Sequence, residues 1–480
     1  MARRSMDDLI IILPGIMGSV LTKHGQDLWA PSLDAVARLR QRETLLRDLL
    51  LDGDDPDREM LDDGVMATRL MPDVQLIPGF WKIDGYTSLI TAIIEQFEVT
   101  QGDIYNPNPD ANLFPFPYDW RRDNRSSAKR LQAFIERQLP IWRERSGNTT
   151  ANVILICHSM GGLIARYYLE VLGGREHCKA LFTLGTPHRG SLNALDYLSN
   201  GYTLFKSLDV SEALRSYTST YQLLPTYQVI EHENTYVDLL EIETIYGLSR
   251  MRVEQARHQF HDPIAAEARS RLGDPGYYSG VIIGTQQLTK QSARLNRTRV
   301  EIGTALPDPV RDLNLGDFGD GTVPFYAALP PGVRQDDLKA FYTTTFHGSL
   351  QSNISTQQQL LTELGMRQSQ VPDGILGVSP EDADARPALR LLLDDAYPPE
   401  GGVIRVRPVN IPDPGSLIVT LTPLDGTHQA QRRTIVPHDD EWPIELDHPT
   451  PGIYRIGVEL YSFRFDPVEP VRDLFEVVGE

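Results

Sequence analysis

The stretch that most constrains this chain is VILICHSMGG, residues 153–162. An aliphatic run that stops abruptly on small residues reads as a buried strand. The next residues, Gly161 to Leu172, have a helical pattern and close on Gly173-Gly174, a common helix stop. A strand that becomes a helix within a few residues leaves Ser159 on a sharp bend. Two readings fit: Ser159 caps the helix, or it is the nucleophile of a strand–turn–helix elbow. The flanking elements favour the elbow. Gly161 meets the demand for a small neighbour, and Cys157 stands where glycine is usual.

The rest of the chain supplies a sheet for that bend. Leu9–Leu13 is a short apolar run ending in PGIMGS, and LFPFPYDWRRDNR (113–125) reads as a strand end and loop. Ala180–Leu184 runs into GTPHRGS; Gly280–Gly284 and Phe341–Thr345 are further apolar runs. Helical patterns over residues 33–51, 86–97 and 126–139 fall between them. Such alternation predicts an α/β fold, a parallel sheet with helices on both faces. Residues 191–275 interrupt the rhythm with a mostly helical pattern and are expected to form a cap over the carboxyl edge of the sheet, since a structureless loop of that length is improbable. Residues from about 24 to 80 are expected to form a lid. Within them, DGDDPDREMLDDG lacks EF-hand spacing and is interrupted by Pro56, so it reads as a solvated acidic loop rather than a calcium site.

Beyond residue 402 the pattern changes to short alternating runs: VIRVRPV, SLIVTLTPL, WPIELDH, GIYRIGVELY and DLFEVV, with Asp413-Pro414-Gly415, Asp425-Gly426 and Pro451-Gly452 between some of them. This predicts a small antiparallel β-sandwich over 402–480, after a linker at 376–401 and a catalytic domain at 1–375. None of these strands is required by the parallel sheet, so the tail is expected to be separable from small-ester chemistry. Its partner is expected to be a protein or a glycan.

The chain carries 46 Lys and Arg against 65 Asp and Glu, a net charge of −19 over 480 residues. That balance repels phosphate backbones and argues against nucleic acid as a partner. The two cysteines, Cys157 and Cys178, form no disulfide framework and no thiolate metal site, which fits a reducing cytoplasm. The run Leu9–Leu13 is too short for a secretory h-region and follows Asp7-Asp8, so it reads as a core strand. No run is long enough to span a bilayer, leaving a cytoplasmic location with peripheral membrane contact as the expectation. No metal or organic cofactor is implied.

A serine hydroxyl needs a base within hydrogen-bond reach and an acid to orient that base. GDFGDGTVP places Asp320 on a glycine-flanked loop beyond the Gly280–Gly284 run, and TTTFHGSL places His347 just past Phe341–Thr345. Both fall at the sheet edge where Ser159 lies, in the chain order Ser, Asp, His. Asp317 is the alternative acid. An oxyanion needs two donors: the backbone N–H groups of Ile16, in LPGIMGS, and of Met160 are the candidates. Trp29, Trp120 and Arg121 are candidates for substrate or lid contacts. Trp29 reads equally as a core residue, and an Arg–Asp pair with a packed indole is the stronger reading of PYDWRR.

Taken in order, LPGIMGS, PYDWRR, HSMGGLIARYYL, LGTPHRGS, YQLLPTY, GDGTVP and HG resemble the lecithin:cholesterol acyltransferase family of α/β-hydrolases, which includes lysosomal phospholipase A2 and phospholipid:diacylglycerol acyltransferases. The resemblance spans about residues 9–350 and is to a bacterial-like cytosolic member. It implies a triad of Ser159, Asp320 and His347, oxyanion donors at Ile16 and Met160, and an acyl-ester substrate. The cysteine pairs of the secreted members have no counterpart here, and the C-terminal β region lies outside the family's core. The expected function is a serine-dependent hydrolase or O-acyltransferase acting on a lipid ester, with a membrane surface as a candidate place of work. A general carboxylesterase or lipase without phospholipid preference, and a non-catalytic binding module on a hydrolase fold, are the alternatives.

Overall fold

The computed structural model describes residues 3–30, 42–73, 85–204, 208–272, 275–313, 318–332, 339–368, 387–394, 396–411, 415–423, 429–436, 442–447, 449–461 and 468–478. Six strands, β1 (Leu9–Leu13), β2 (Leu113–Pro115), β3 (Val153–His158), β4 (Cys178–Leu184), β5 (Tyr278–Gly284) and β6 (Lys339–Thr343), make one sheet in the order β2-β1-β3-β4-β5-β6. Every neighbouring pair is parallel. The strands are apolar on both sides because both faces are covered. Leu9, Ile11 and Leu13 enter one core and Ile10 and Ile12 the other; Val153, Leu155 and Cys157 divide from Ile154 and Ile156 in the same way.

Five helices take up positions around this sheet: α1 (Thr87–Gln96), α2 (Asn124–Ser146), α3 (Met160–Glu170), α4 (Leu192–Asn200) and α5 (Ile354–Gln368). Leu131 and Phe134 of α2 and Leu163 and Ile164 of α3 close one core. Leu89 and Ile93 of α1 and Leu360 and Leu364 of α5 close the other. Burial of each such side chain contributes about 1.5–3 kcal/mol. Among the described residues no helix is long and apolar enough to cross a membrane.

The region expected to be a lid contributes the strands Gln26–Trp29 and Val65–Leu70, which pair antiparallel on either side of Ser19–Lys23 just before it, and a helix over Arg42–Leu49. The cap differs from a purely helical insertion. It has helices at Ser211–Ser216, Thr218–Tyr221 and Arg250–Ala256, the last continuing through a π-turn into Asp262–Ser270. It also has a four-stranded sheet of Thr235–Val237, Ile230–His232, Ser292–Asn296 and Arg299–Gly303. The last two strands come after β5 in the chain. Runs such as SARLN and RVEIG are too short and too polar to announce themselves by alternation.

The C-terminal strands are β7 (Ala388–Leu392), β8 (Ala396–Tyr397), β9 (Gly401–Val409), β10 (Ser416–Pro423), β11 (Gln431–Ile435), β12 (Trp442–Asp447), β13 (Gly452–Tyr461) and β14 (Val471–Val477). They form a three-stranded sheet, β7-β9-β12, and a five-stranded sheet, β8-β14-β13-β10-β11. Ile404, Val406, Trp442 and Ile444 of the first meet Leu417, Val419, Ile456 and Val458 of the second in one core. β7 and β8 lie in the stretch read from sequence as linker: the apolar run ALRLL is obscured by the prolines and aspartates around it.

The tail is also tied to the parallel sheet. Arg390 Nε donates to the Gln286 carbonyl (2.8 Å), and its guanidinium lies 3.8 Å from the centre of the Phe318 ring. Gln287 Nε2 donates to the carbonyls of Thr344 (2.5 Å) and Leu389 (3.4 Å). Glu469 accepts from Thr343 Oγ1 (2.7 Å) and the Thr344 N–H (3.1 Å), just past the end of β6. Phe346 packs on the C-terminal core. Glu469→Ala leaves the Thr344 N–H without its acceptor, a loss of about 1–3 kcal/mol. The expected outcome is a lower melting temperature by calorimetry with unchanged secondary structure by circular dichroism.

Candidate active site

β3 ends at His158, and the chain turns at Ser159 straight into α3. Ser159 has φ 51° and ψ −124°, a left-handed backbone that a residue with a side chain adopts at a cost of about 1–3 kcal/mol. Its N–H donates to the Leu184 carbonyl at the end of β4 (2.8 Å), and its carbonyl accepts from the Gly162 N–H (3.0 Å). The bend is tight because the next turn runs against β1: a Cβ on Gly161 would lie 2.6 Å from the Pro14 carbonyl oxygen. Cys157 points into the core, and burial raises its thiol pKa well above the ordinary range, so it is packing rather than a second nucleophile.

Ser159, His347 and Asp320 stand in one hydrogen-bonded row. His347 Nδ1 lies 2.7 Å from Asp320 Oδ2, and Nε2 lies 2.8 Å from Ser159 Oγ. A carboxylate only accepts, so Nδ1 carries the proton and Nε2 accepts from the serine hydroxyl. The other carboxylate oxygen of Asp320 takes the N–H groups of Thr322 (3.0 Å) and Val323 (2.7 Å), and its carbonyl takes the His347 N–H (2.8 Å). Asp320 is far from β5 in sequence but returns to its end, because Gln287 and Gly319 exchange backbone hydrogen bonds. All three side chains are buried, with Ser159 only 1% exposed. Asp317, the alternative acid, lies outside the described residues.

The LPGIMGS loop is pressed against the elbow: a Cβ on Gly15 would meet the Ser159 Cβ at 2.9 Å. Among the described residues no hydrogen bond uses the N–H of Ile16 or of Met160. Both groups are therefore uncommitted beside the serine, one in that loop and one at the first position of α3.

A second network supports the row, and the residue at its centre, Tyr86, lies outside every motif in the sequence. The Gly15 N–H donates to Tyr86 Oη (2.8 Å), and Tyr86 Oη lies 2.9 Å from His158 Nδ1. His158 Nε2 lies 3.0 Å from the His347 carbonyl. Since a carbonyl only accepts, His158 donates from Nε2, and Nδ1 takes the Tyr86 proton. One chain of bonds thus joins the LPGIMGS loop, the entry to α1, the elbow and the backbone of His347. Burial, with His347 second, pushes the His158 imidazolium down to about 3, so the ring is neutral.

Trp29, Trp120 and Arg121 form a separate cluster with its own bonds. Trp120 is fully buried, donates from Nε1 to the Ser19 carbonyl (3.0 Å) and meets Trp29 edge-on at 5.5 Å. Trp29 Nε1 donates to the Met17 carbonyl (3.1 Å). Arg121 pairs with Asp119 and Asp63, each at 2.7 Å. Arg122 takes Asp54 and the carbonyls of Asp55, Arg58 and Glu59. The acidic loop is therefore more than a solvated turn: two of its carboxylates, Asp54 and Asp63, hold buried arginines. Among the described residues no three His, Cys, Asp or Glu side chains converge as metal ligands.

A family model described as lecithin:cholesterol acyltransferase matches residues 82–250. No curated protein matches the chain. Among solved structures, the Tle4–Tli4 complex is 16% identical with a TM-score of 0.47, over 78% of this chain and 100% of that one. Lipase BlEst2 of Bacillus licheniformis in its propeptide form is 11% identical with a TM-score of 0.35, over 99% and 94%. Phospholipase PlaB of Legionella pneumophila is 11% identical with a TM-score of 0.35, over 99% and 90%.

Tyr86→Phe removes the donor to His158 Nδ1 and the acceptor for the Gly15 N–H. The expected result is a stability loss of about 1–3 kcal/mol in urea unfolding, together with slower ester turnover. Acid provides a second check. Burial holds His158 near 3 and His261 near 4, and holds His188 well below the usual range. The unfolded chain protonates these rings near 6.5 and the folded chain does not. Stability is therefore full above about pH 6.5 and falls as pH drops toward 4, by up to about 1.4 kcal/mol per unit per histidine. His261 donates from Nε2 to the Gln222 carbonyl (2.7 Å), a bond an amide can replace, so His261→Gln should flatten the decline measured by thermal melting.

Proposed function

We propose that this chain, whose residues 82–250 match the lecithin:cholesterol acyltransferase model, is a serine-dependent acyl-ester hydrolase or O-acyltransferase acting on a lipid ester. The observation that carries the reading is the row Ser159 Oγ, His347 Nε2, His347 Nδ1, Asp320 Oδ2 at the carboxyl edge of a parallel sheet. Ser159 Oγ attacks the ester carbonyl and gives its proton to His347 Nε2. Asp320 holds the ring in the accepting tautomer and balances the imidazolium. The N–H groups of Ile16 and Met160 take the oxyanion. His347 then protonates the departing alkoxide, leaving the acyl group on Ser159, and water or a second alcohol removes it by the same steps in reverse.

The domain reading is a hydrolase domain at 1–375 followed by a β-sandwich whose first strand is β7. That the sandwich is a distinct module is supported by its own core. A reducing, cytoplasmic setting is supported by the two cysteines, which are free and buried. A fluorophosphonate probe should label Ser159. Ser159→Ala should abolish labelling and lower the turnover of a short p-nitrophenyl ester by on the order of 10⁴-fold or more. Asp320→Asn should also lose several orders of magnitude, while Asp317→Asn keeps most of its rate. Retained turnover in Ser159→Ala would sink the assignment; a wild-type protein that neither labels nor hydrolyses would favour the binding-module alternative.

A further inference from the structure

Three side-chain nitrogens on neighbouring elements beneath the cap are buried with no hydrogen-bond partner. They are Nε of Arg166 on α3, and Nε2 of His188 and Nε of Arg189 in the GTPHRGS loop after β4. Arg166 is only 2% exposed and His188 4%. The loop lies directly on α3, since a Cβ on Gly162 would run into Thr186 Oγ1. Arg166 is one helical turn on from Gly162 and on the same side, and His188 is two residues on from Thr186. Arg166 Nη2 donates to the Pro331 carbonyl (3.2 Å) and the Arg189 N–H to the Ala327 carbonyl (2.9 Å), so both arginines meet one short segment. The cap closes over them: Phe260 stacks on Tyr167, the neighbour of Arg166, at 5.5 Å between ring centres.

The charges in this seam do not balance. Glu170 is the carboxylate that meets Arg166 (3.4 Å), and it also pairs with Arg175 and accepts from Tyr277 Oη (2.7 Å). Among the described residues no carboxylate pairs with Arg189, whose guanidinium lies 4.6 Å from the centre of the Tyr326 ring. Three arginines thus share one carboxylate. Burial works against the charged form of each, and the charge of Arg166 works against that of Arg189. A buried charge without a counter-charge is strongly unfavourable.

We propose that Arg166, His188 and Arg189 hold a small monovalent inorganic anion, of the kind chloride represents, between α3, the GTPHRGS loop and the cap. The donors define the class. A carboxylate or a phosphate takes a guanidinium by its two-nitrogen edge. Here each arginine offers a lone Nε–H, with Nη2 of Arg166 spent on Pro331 and the plane of Arg189 laid on Tyr326. Burial, with Arg166 second, keeps the His188 ring neutral, and its Nε2–H tautomer adds one more single donor. Single donors from two elements suit a spherical ion. The anion offsets the excess positive charge and ties the cap to the helix that begins beside Ser159. It takes no part in ester chemistry, so the inference is independent of the function proposed above.

Thermal melting of the full-length protein tests the site. Sodium chloride replaces sodium gluconate at constant ionic strength, which holds general screening fixed. The melting temperature should rise saturably, by about 2 °C or more, as for any ligand that binds only the folded chain. Arg189→Met removes one buried cation and keeps an aliphatic side chain in its place. The variant should be at least as stable as the wild type in gluconate and should no longer respond to chloride. An arginine with a purely structural role predicts the opposite: a variant less stable in gluconate, in a protein whose melting ignores chloride. Crystals of the wild type grown in sodium bromide give a readout that needs no variant. The anomalous signal of a bromide ion should sit beside Arg166 Nε, His188 Nε2 and Arg189 Nε. The proposal is overturned if wild-type melting ignores chloride, if Arg189→Met keeps the response, or if bromide is absent from that place. Should Arg189→Met fail to fold, the bromide position decides alone.

Discussion

Ser159 keeps a backbone conformation that an unrestrained chain would abandon, and much of the sheet edge serves to hold it. The bond to the Leu184 carbonyl fixes the turn from the side of β4, and the Pro14 carbonyl crowds it from the side of β1. Neither support exists unless three strands lie side by side in the same direction. The two-sided apolar pattern of those strands is therefore a condition of Ser159 standing beside His347. A parallel arrangement also brings every strand's carboxyl end to one edge. Residues far apart in the chain, such as Gly15, Ser159 and His347, then meet without long-range coincidence.

His347 and Asp320 are held less directly than the serine. His347 sits past the end of β6: its N–H donates to the Asp320 carbonyl, its carbonyl accepts from His158, and Thr343 and Thr344 just before it are tied to Glu469. Asp320 relies on Gln287 pairing with Gly319, while the Gln287 side chain reaches the Thr344 and Leu389 carbonyls. One glutamine thus couples the loops of Asp320 and His347 to the C-terminal strands. The neutral His158 is part of the same construction. A charged ring there would face His347, and the burial that keeps His158 neutral removes that repulsion.

Much of this was legible in the residues alone. The strand-to-helix bend at 153–162, the order of Ser159, Asp320 and His347, and the strands of the central sheet carry strong local patterns. The strands at 403–409, 416–423 and 452–461 show clean alternation because one face of each is buried. What escaped has a common physical cause. The cap strands at 292–303 and the strand at 388–392 are short, and their partners are remote, so their identity comes from pairing rather than from their own composition. Tyr86 looks like any aromatic at a helix start, since its value lies in a hydroxyl placed between Gly15 and His158. Asp54 and Asp63 looked solvated because nothing local reveals that Arg121 and Arg122 will be buried beside them.

The ties from Arg390 and Glu469 have a consequence in time. Synthesis delivers the bend at Ser159, then Asp320, then His347, and only afterwards the strands that clamp the His347 loop. A chain still emerging from the ribosome holds these three side chains before it holds the outer supports that steady them. The segment that completes the clamp is made after all three, so assembly of the site follows the order of translation.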